Sequence, residues 1–282
     1  MKSLLFFIVV LSLIGCGDGS AKQTSSQFPQ SQSTFDRIVL TNEIRCGYSL
    51  WPLAFDREPN RGNFSGAFFE ITEEIAKRSG LKIIWEEEIP IGDAALALNS
   101  NKIDLFCSGI WPSSMRAKFM TFSNAAFYNV TTAYVSANSP YRTADDLLQN
   151  ANTLTFGTID GEMSERLQAA YFPTSKTFSL SKESDGPALL LAIATNKADL
   201  TITDRTVAHL YAQKNPNSIR EIESAQPFAV FGDMYAMSKG EQKLKDFLDV
   251  SIEDLKNTGF INKVLTKYDP SGKLLVPEKP AF

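Results

Sequence analysis

The sequence predicts an α/β protein built as two similar lobes, each a mostly parallel sheet flanked by helices. Three observations carry that expectation. Short apolar strands alternate with amphipathic helical stretches, the alternation starts afresh in the second half of the chain, and 43% hydrophobic with 21% charged residues is the balance of a globule that buries a core.

The first strand is expected at 44–48, where β-type residues run into Gly47. Phe68, Ile71 and Ile75 then recur at helical spacing, with Glu70, Glu73 and Glu74 toward the N-terminal end, Lys77 and Arg78 toward the C-terminal end, and Gly80 as the stop. A strand follows at 81–85, a helical stretch at 94–98, and a strand at 103–108 whose continuous apolar centre suggests burial on both faces. The second half repeats the grammar: a strand at 153–158, a helix at 163–170, and a helix opened by Asp185, Gly186 and Pro187, proline being suited to a first helical position. A strand at 198–203 ends at Asp204 and leads into a helix from Thr206. Leu244, Leu248, Ile252 and Leu255 mark a long helix closing at Gly259, with a short one at 261–268 behind it. These last helices are expected to return to the first lobe, with 128–135 and 228–237 as the two connecting segments.

The N-terminus has another character. Lys2 precedes an apolar run over 4–14 broken by Ser12, which is the h-region of a signal peptide and only about half the ~20 residues that span a bilayer. Leu13-Ile14-Gly15-Cys16 resembles a bacterial lipobox, which would leave Cys16 as the lipidated first residue of the mature chain; an ordinary secretory signal with a chance cysteine is the alternative. Residues 17–34 are rich in Ser, Gln and Gly with one large apolar residue, Phe28, and read as a tether. The expected organisation is a signal peptide at 1–15, a tether at 16–35, one lobe from 36–130 plus 234–282, and a second from 131–233.

Composition removes several functions. A net charge of −4 without a Lys/Arg cluster lacks the footprint of a nucleic-acid binder. With one histidine and three cysteines, a transition-metal site or a His-activated nucleophile is poorly supplied. His209, between Val207 and Leu210, reads as structural. No metal, cofactor or catalytic residue is expected.

Several segments resemble, in order, the bacterial extracellular solute-binding proteins of family 3, the polar amino-acid substrate-binding proteins of ABC transporters with the type II periplasmic-binding-protein fold. They are Ile44-Arg45-Cys46-Gly47 with Trp51 and Phe55; 66–76; Lys102-Ile103-Asp104 through Ser108-Gly109 to Arg116 and Phe122-Ser123; Ala198-Asp199-Leu200 through Asp204; and Thr258-Gly259-Phe260 through Lys263 to Lys267-Tyr268. The resemblance implies two α/β lobes joined by two hinge strands, a small polar ligand such as an amino acid or related carboxylate held between them, and delivery to an inner-membrane ABC permease. It also implies a monomer outside the cytoplasm, in the periplasm or at the cell surface, here with a lipid anchor on Cys16. The ligand site falls where loops and helix N-termini lie beyond the carboxyl ends of the strands.

Residue by residue, Arg116 matches the arginine that pairs with a ligand α-carboxylate, and a guanidinium offers two parallel donors for that pairing. Asp204 matches the acid that receives a ligand ammonium, and it is equally placed to cap the following helix. Gly109 belongs to the most similar stretch. Two departures stand out: Trp111 replaces a small hydroxyl residue, its indole going either into the pocket or into the core, and Glu162 adds a negative charge where threonines are usual. Glu162 points away, or else the ligand carries an extra cation or lacks the usual carboxylate. Trp51 and Tyr48 are candidate pocket walls, although aromatics near strand ends also serve as plain core. Cys46 and Cys107 fall on strands the resemblance makes neighbours, leaving a disulfide and two buried thiols both open. The competing functions are a dehydratase-like enzyme on the same fold, with Glu162 and Asp204 as acid and base, and a protein presenting ligand to a sensory receptor.

Overall fold

In the computed structural model, the described residues are 33–280 apart from 59 and 61. The expected signal peptide, Cys16 and all but the end of the tether lie outside them. The strands are β1 (Glu43–Tyr48), β2 (Asp56–Arg57), β3 (Phe64–Ser65), β4 (Lys82–Glu88), β5 (Leu105–Ile110), β6 (Met120–Phe122), β7 (Phe127–Ser136), β8 (Thr155–Ile159), β9 (Lys176–Leu180), β10 (Leu200–Asp204), β11 (Ile219–Glu221), β12 (Ala229–Ser238) and β13 (Leu275–Val276). The helices are α1 (Thr34–Thr41), α2 (Ala67–Ser79), α3 (Ala94–Asn99), α4 (Ala144–Gln149), α5 (Met163–Tyr171), α6 (Gly186–Ala194), α7 (Arg205–Lys214), α8 (Gln242–Asn257) and α9 (Phe260–Tyr268).

Strand order explains the two lobes. The path runs β4-β1-β5-β12-β7-β10-β8-β9. At one end β1 pairs in parallel with β4 and β5, and at the other β8 pairs in parallel with β9 and β10. The antiparallel contacts fall in the middle, where β12 and β7 pair with each other and carry β5 and β10 on their outer sides. The fold is thus two-lobed α/β, with sheets that are parallel outward and mixed where the two long strands cross between lobes. Nine of the ten residues of β7 are buried, four of them polar: Asn129, Thr131, Thr132 and Ser136.

Separate cores sit on either side of those strands. Ile71 and Ile75 of α2, Leu244, Leu248, Ile252 and Leu255 of α8 and Ile261 of α9 pack on β1 and β5 in one of them, so the terminal helices do return to the first lobe. Phe156, Leu167, Phe172, Leu200 and Ile202 form the centre of the other. The caps expected from sequence hold their helices: Gly80 ends α2 in the left-handed region at φ 70°, and Asp185 opens α6 by accepting from the Ala188 N–H at 2.8 Å.

Two features differ from expectation. Helix α1 begins at Thr34, inside the stretch read as tether, because Ser33 and Asp36 form a capping box and Phe35 meets Phe247 of α8 at 5.3 Å. Strand β5 starts two residues later than its apolar run, since Asp104 turns into the protein. Its side chain is 1% exposed and accepts from Arg45 Nη2 at 2.7 Å and from the Arg45 backbone N–H at 2.8 Å, and it also pairs with Arg37 of α1. Asp104, inside the most family-like stretch, therefore ties the first helix to the first sheet. Of the two states the sequence left open for Cys46 and Cys107, the structure has the disulfide, with Cα atoms 5.6 Å apart and both sulfurs inside the first core.

Candidate functional site

The site grows from the ends of β1, β5 and β10, from the start of α5, and from the middle of β12. After β1 the chain makes a turn in which Trp51 and Phe55 pair as an isolated bridge. This turn aims the Trp51 indole at the far lobe, where Nε1 donates to Asp204 Oδ2 at 2.8 Å. Asp204 is fully buried at the end of β10, and its other oxygen accepts from the Thr206 N–H at 2.8 Å, capping α7. Both roles open to Asp204 in the sequence thus meet in one carboxylate. Burial pushes its pKa up to about 6, against the pull of the Thr206 and Trp51 donors.

Strand β5 ends at Gly109-Ile110, followed by Trp111. Gly109 has φ 85°, and a Cβ there would stand 2.9 Å from the Phe68 ring and 3.3 Å from Asp233 Oδ1; only glycine suits that backbone and that space. Trp111, 7% exposed, stacks on Phe231 of β12 at 4.7 Å and 17°, meets Trp51 edge-on at 5.3 Å, and donates from Nε1 to Asp233 Oδ1 at 3.0 Å. The alternatives for its indole merge, since it lines the cleft and packs into the second lobe's core at once.

Arg116 opens a 3-10 turn and reaches across the cleft. Nη1 donates to the Trp111 carbonyl at 2.9 Å and Nη2 to the Gly161 carbonyl at 3.1 Å, one in each lobe. Burial lowers its pKa, countered by Glu162. Glu162 stands at the N-terminal end of α5 without capping it and lines the cleft; burial raises its pKa, and Arg116 holds the rise back. The reading that Glu162 points away from the cleft is overturned: its place just before α5 turns it inward.

These residues enclose two adjoining chambers that share Trp51, Trp111, Glu162 and Met163. The outer one, about 170 Å³, is walled by Ile202, Val207, Leu189 and Pro187 with Asp56 and Asp185 at its edge. The inner one, about 10 Å³, holds Arg116, Gly109 and Asp233. Larger grooves of about 860 and 720 Å³ lie elsewhere on the surface and lack this convergence of buried charge. Among the described residues no group of three or more His, Cys, Asp or Glu is placed to hold a metal ion.

Of the residues singled out in the sequence, Arg116, Trp111, Trp51, Gly109 and Glu162 line this cleft, and Asp204, which lines neither chamber, meets it through the Trp51 indole. Tyr48 does not. It stacks on Phe55 at 5.0 Å and meets Phe64 at 4.9 Å in an aromatic cluster with Trp85, and it lines neither chamber, because the alternation of β1 turns it to the other face. Sequence reasoning missed Asp233. The signal was available, a lone acid in the middle of an otherwise apolar segment, 229–237.

Two α/β lobes on paired crossing strands, with buried charges meeting between them, define a protein with a small-solute site between its lobes. The chain matches the sequence model of the bacterial extracellular solute-binding proteins, family 3, over residues 44–271, and it belongs to that family. It is an extracytoplasmic protein that binds a small polar solute. Among curated proteins it is similar to a "Probable histidine-binding protein" of Campylobacter jejuni, 23% identical over 95% of this chain and 98% of that one. It is also similar to the arginine-binding extracellular protein ArtP of Bacillus subtilis, 24% identical over 73% and 78% of the two chains. A solved solute receptor for L-cysteine from Neisseria gonorrhoeae has the same fold, with a TM-score of 0.72 at 18% identity over 86% of this chain and 98% of that one.

Proposed function

We propose that the cleft captures an α-amino acid, with Arg116 receiving the carboxylate and Asp204 the ammonium, and that the loaded protein delivers it to an ABC permease. The observation that carries the reading is the pair itself: a guanidinium and a buried carboxylate, each already in contact with the opposite lobe, at one cleft. A zwitterion bridging them rewards closure because it binds the closed arrangement better than the open one. Relatives named for histidine and arginine binding support the ligand class. The lobes are proposed as 36–130 plus 234–282 and 131–233, closing about β7 and β12, in a chain that works as a monomer.

The test is a thermal-shift screen of the chain from Ser33 against the amino acids. A ligand at a hundredfold excess over its dissociation constant adds about 2.7 kcal/mol of apparent stability. Arg116→Ala is expected to weaken binding about 100-fold through loss of a charge-assisted pair and so to cut the gain to about 0.4 kcal/mol at the same ligand concentration. Absence of any shift with every amino acid sinks the ligand class.

The anchor belongs to the same reading. We infer that Cys16 carries the lipid and that the following residues let the lobes reach the permease. In an expressing bacterium, Cys16→Ser is expected to move the protein from the membrane fraction to the soluble extracytoplasmic fraction. Equal membrane recovery of both forms rejects the anchor.

A further inference from the structure

The charges around the cleft do not balance for a simple zwitterion. Asp233 and Glu162 line it with one guanidinium, Arg116, and Asp204 stands just behind the Trp51 indole that it holds. An α-amino acid contributes one charge of each sign, and after its ammonium meets Asp204 and its carboxylate meets Arg116, Asp233 still has no cation.

Asp233 is an unusual residue to leave in that state. It sits within hinge strand β12, 4% exposed, with the Trp111 indole on Oδ1 and no hydrogen-bond partner on Oδ2. The charged group acting on it is another acid, Asp204. A buried carboxylate that faces a second acid and keeps a free oxygen either takes up a proton or is met by something cationic. Bare Gly109 keeps the approach open, since a Cβ there would crowd Oδ1. The two acids also share one arrangement. Each accepts an indole N–H, Asp204 from Trp51 and Asp233 from Trp111, and the two indoles touch between them.

We infer that Asp233 is a ligand-contacting, specificity-determining residue that selects an amino acid with a cationic side chain, whose charged end replaces the Trp111 indole at the carboxylate. The inference rests on amino-acid capture by Arg116 and Asp204. Trp111 then acts in two ways. Its N–H holds Asp233 until the ligand arrives, and its stack on Phe231 gives the indole a fixed place beside the ligand's side chain.

The experiment is calorimetric titration of the chain from Ser33 with L-arginine against its neutral isostere L-citrulline, and with L-lysine against L-norleucine. Wild type is expected to prefer the cationic member of a pair on the order of 100-fold, the scale of a desolvated charge pair. Asp233→Asn, which keeps an acceptor for Trp111, is expected to cut that preference below about threefold while citrulline or norleucine binds as before. Trp111→Phe keeps the ring, removes the competing donor, and is expected to raise the preference several-fold. It serves as an independent readout if Asp233→Asn folds poorly. A preference unchanged in Asp233→Asn, a preference unchanged or reduced in Trp111→Phe, or a wild type that binds only neutral amino acids overturns this inference alone. A wild type that binds no amino acid overturns the capture reading and this inference with it.

Discussion

Replacing Cys46 and Cys107 together by alanine is expected to lower the stability of the folded chain by about 4 kcal/mol, the chain-entropy value for a bridge that closes a loop of this length. The bridge joins residues 61 apart in sequence and lies at the centre of the first lobe, between β1 and β5. Both cysteines are fully buried among Ile44, Phe68 and Leu105. Two alanines also leave a small void, which adds to the loss. For a chain of this size the combined effect corresponds to a fall in the thermal midpoint on the order of 10 °C. Scanning calorimetry of the oxidised wild type, the double variant and the chain refolded under reductant would measure it, and a fall of less than about 2 °C would falsify a stabilising role. Because the bridge is shielded, native protein is expected to resist a mild reductant that reaches it readily in urea. The oxidising compartment outside the cytoplasm is where such a bridge forms and persists.

How much of this was legible in the sequence depends on which force set each feature. Helices α2 and α8 were legible because their apolar faces recur at helical spacing, and the Gly80 stop of α2 is local chemistry. Strand edges were less so: β5 is shifted because Asp104 answers to Arg45 and Arg37, partners far away in sequence. Helix α1 was hidden for the same reason, its short run gaining order from α8 and from the Arg37–Asp104 pair. In the cleft, the positions of Arg116 and Asp204 were legible through their motif surroundings, and their present partners were not. A backbone carbonyl across the cleft and an indole from another lobe leave no mark in local sequence. Trp111 illustrates the limit. Its position was visible, but its stack on Phe231 and its bond to Asp233 depend on where β12 crosses. Tyr48 shows the converse, an aromatic at a strand end that the pleat turns away from the cleft.

Asp204→Asn is expected to weaken amino-acid binding by about 100- to 1,000-fold at neutral pH, the cost of deleting one member of a buried charge pair, with the fold retained. Asparagine caps helices as well as aspartate does, so α7 keeps its Thr206 contact; with one acceptor oxygen instead of two, the variant gives up the Trp51 indole. The same carboxylate gives the wild type a pH signature. The groups that face it are the Thr206 N–H and Arg205 from α7, the Trp51 indole and Asp233, and burial dominates them, placing its pKa at about 6 in the folded chain. This is above the unfolded value, so in the ligand-free protein the contribution of Asp204 to stability is fully present below the unfolded pKa and is lost as pH rises through about 6. That cost at neutral pH is roughly 3 kcal/mol. A ligand ammonium reverses the balance by favouring the charged form. Binding therefore releases a proton from Asp204 near pH 6, and the Asp204 part of the affinity is expected to hold level above about pH 7 and to fall by up to tenfold per pH unit below about pH 6. Titrations from about pH 8 to about pH 5, in buffers of different ionisation enthalpy, would count the protons. In Asp204→Asn the remaining slope belongs to Asp233 and Glu162, whose burial raises them in the same direction. A wild-type affinity indifferent to pH over that range, together with an Asp204→Asn variant that binds equally well, would remove Asp204 from the ligand site and leave it as the cap of α7.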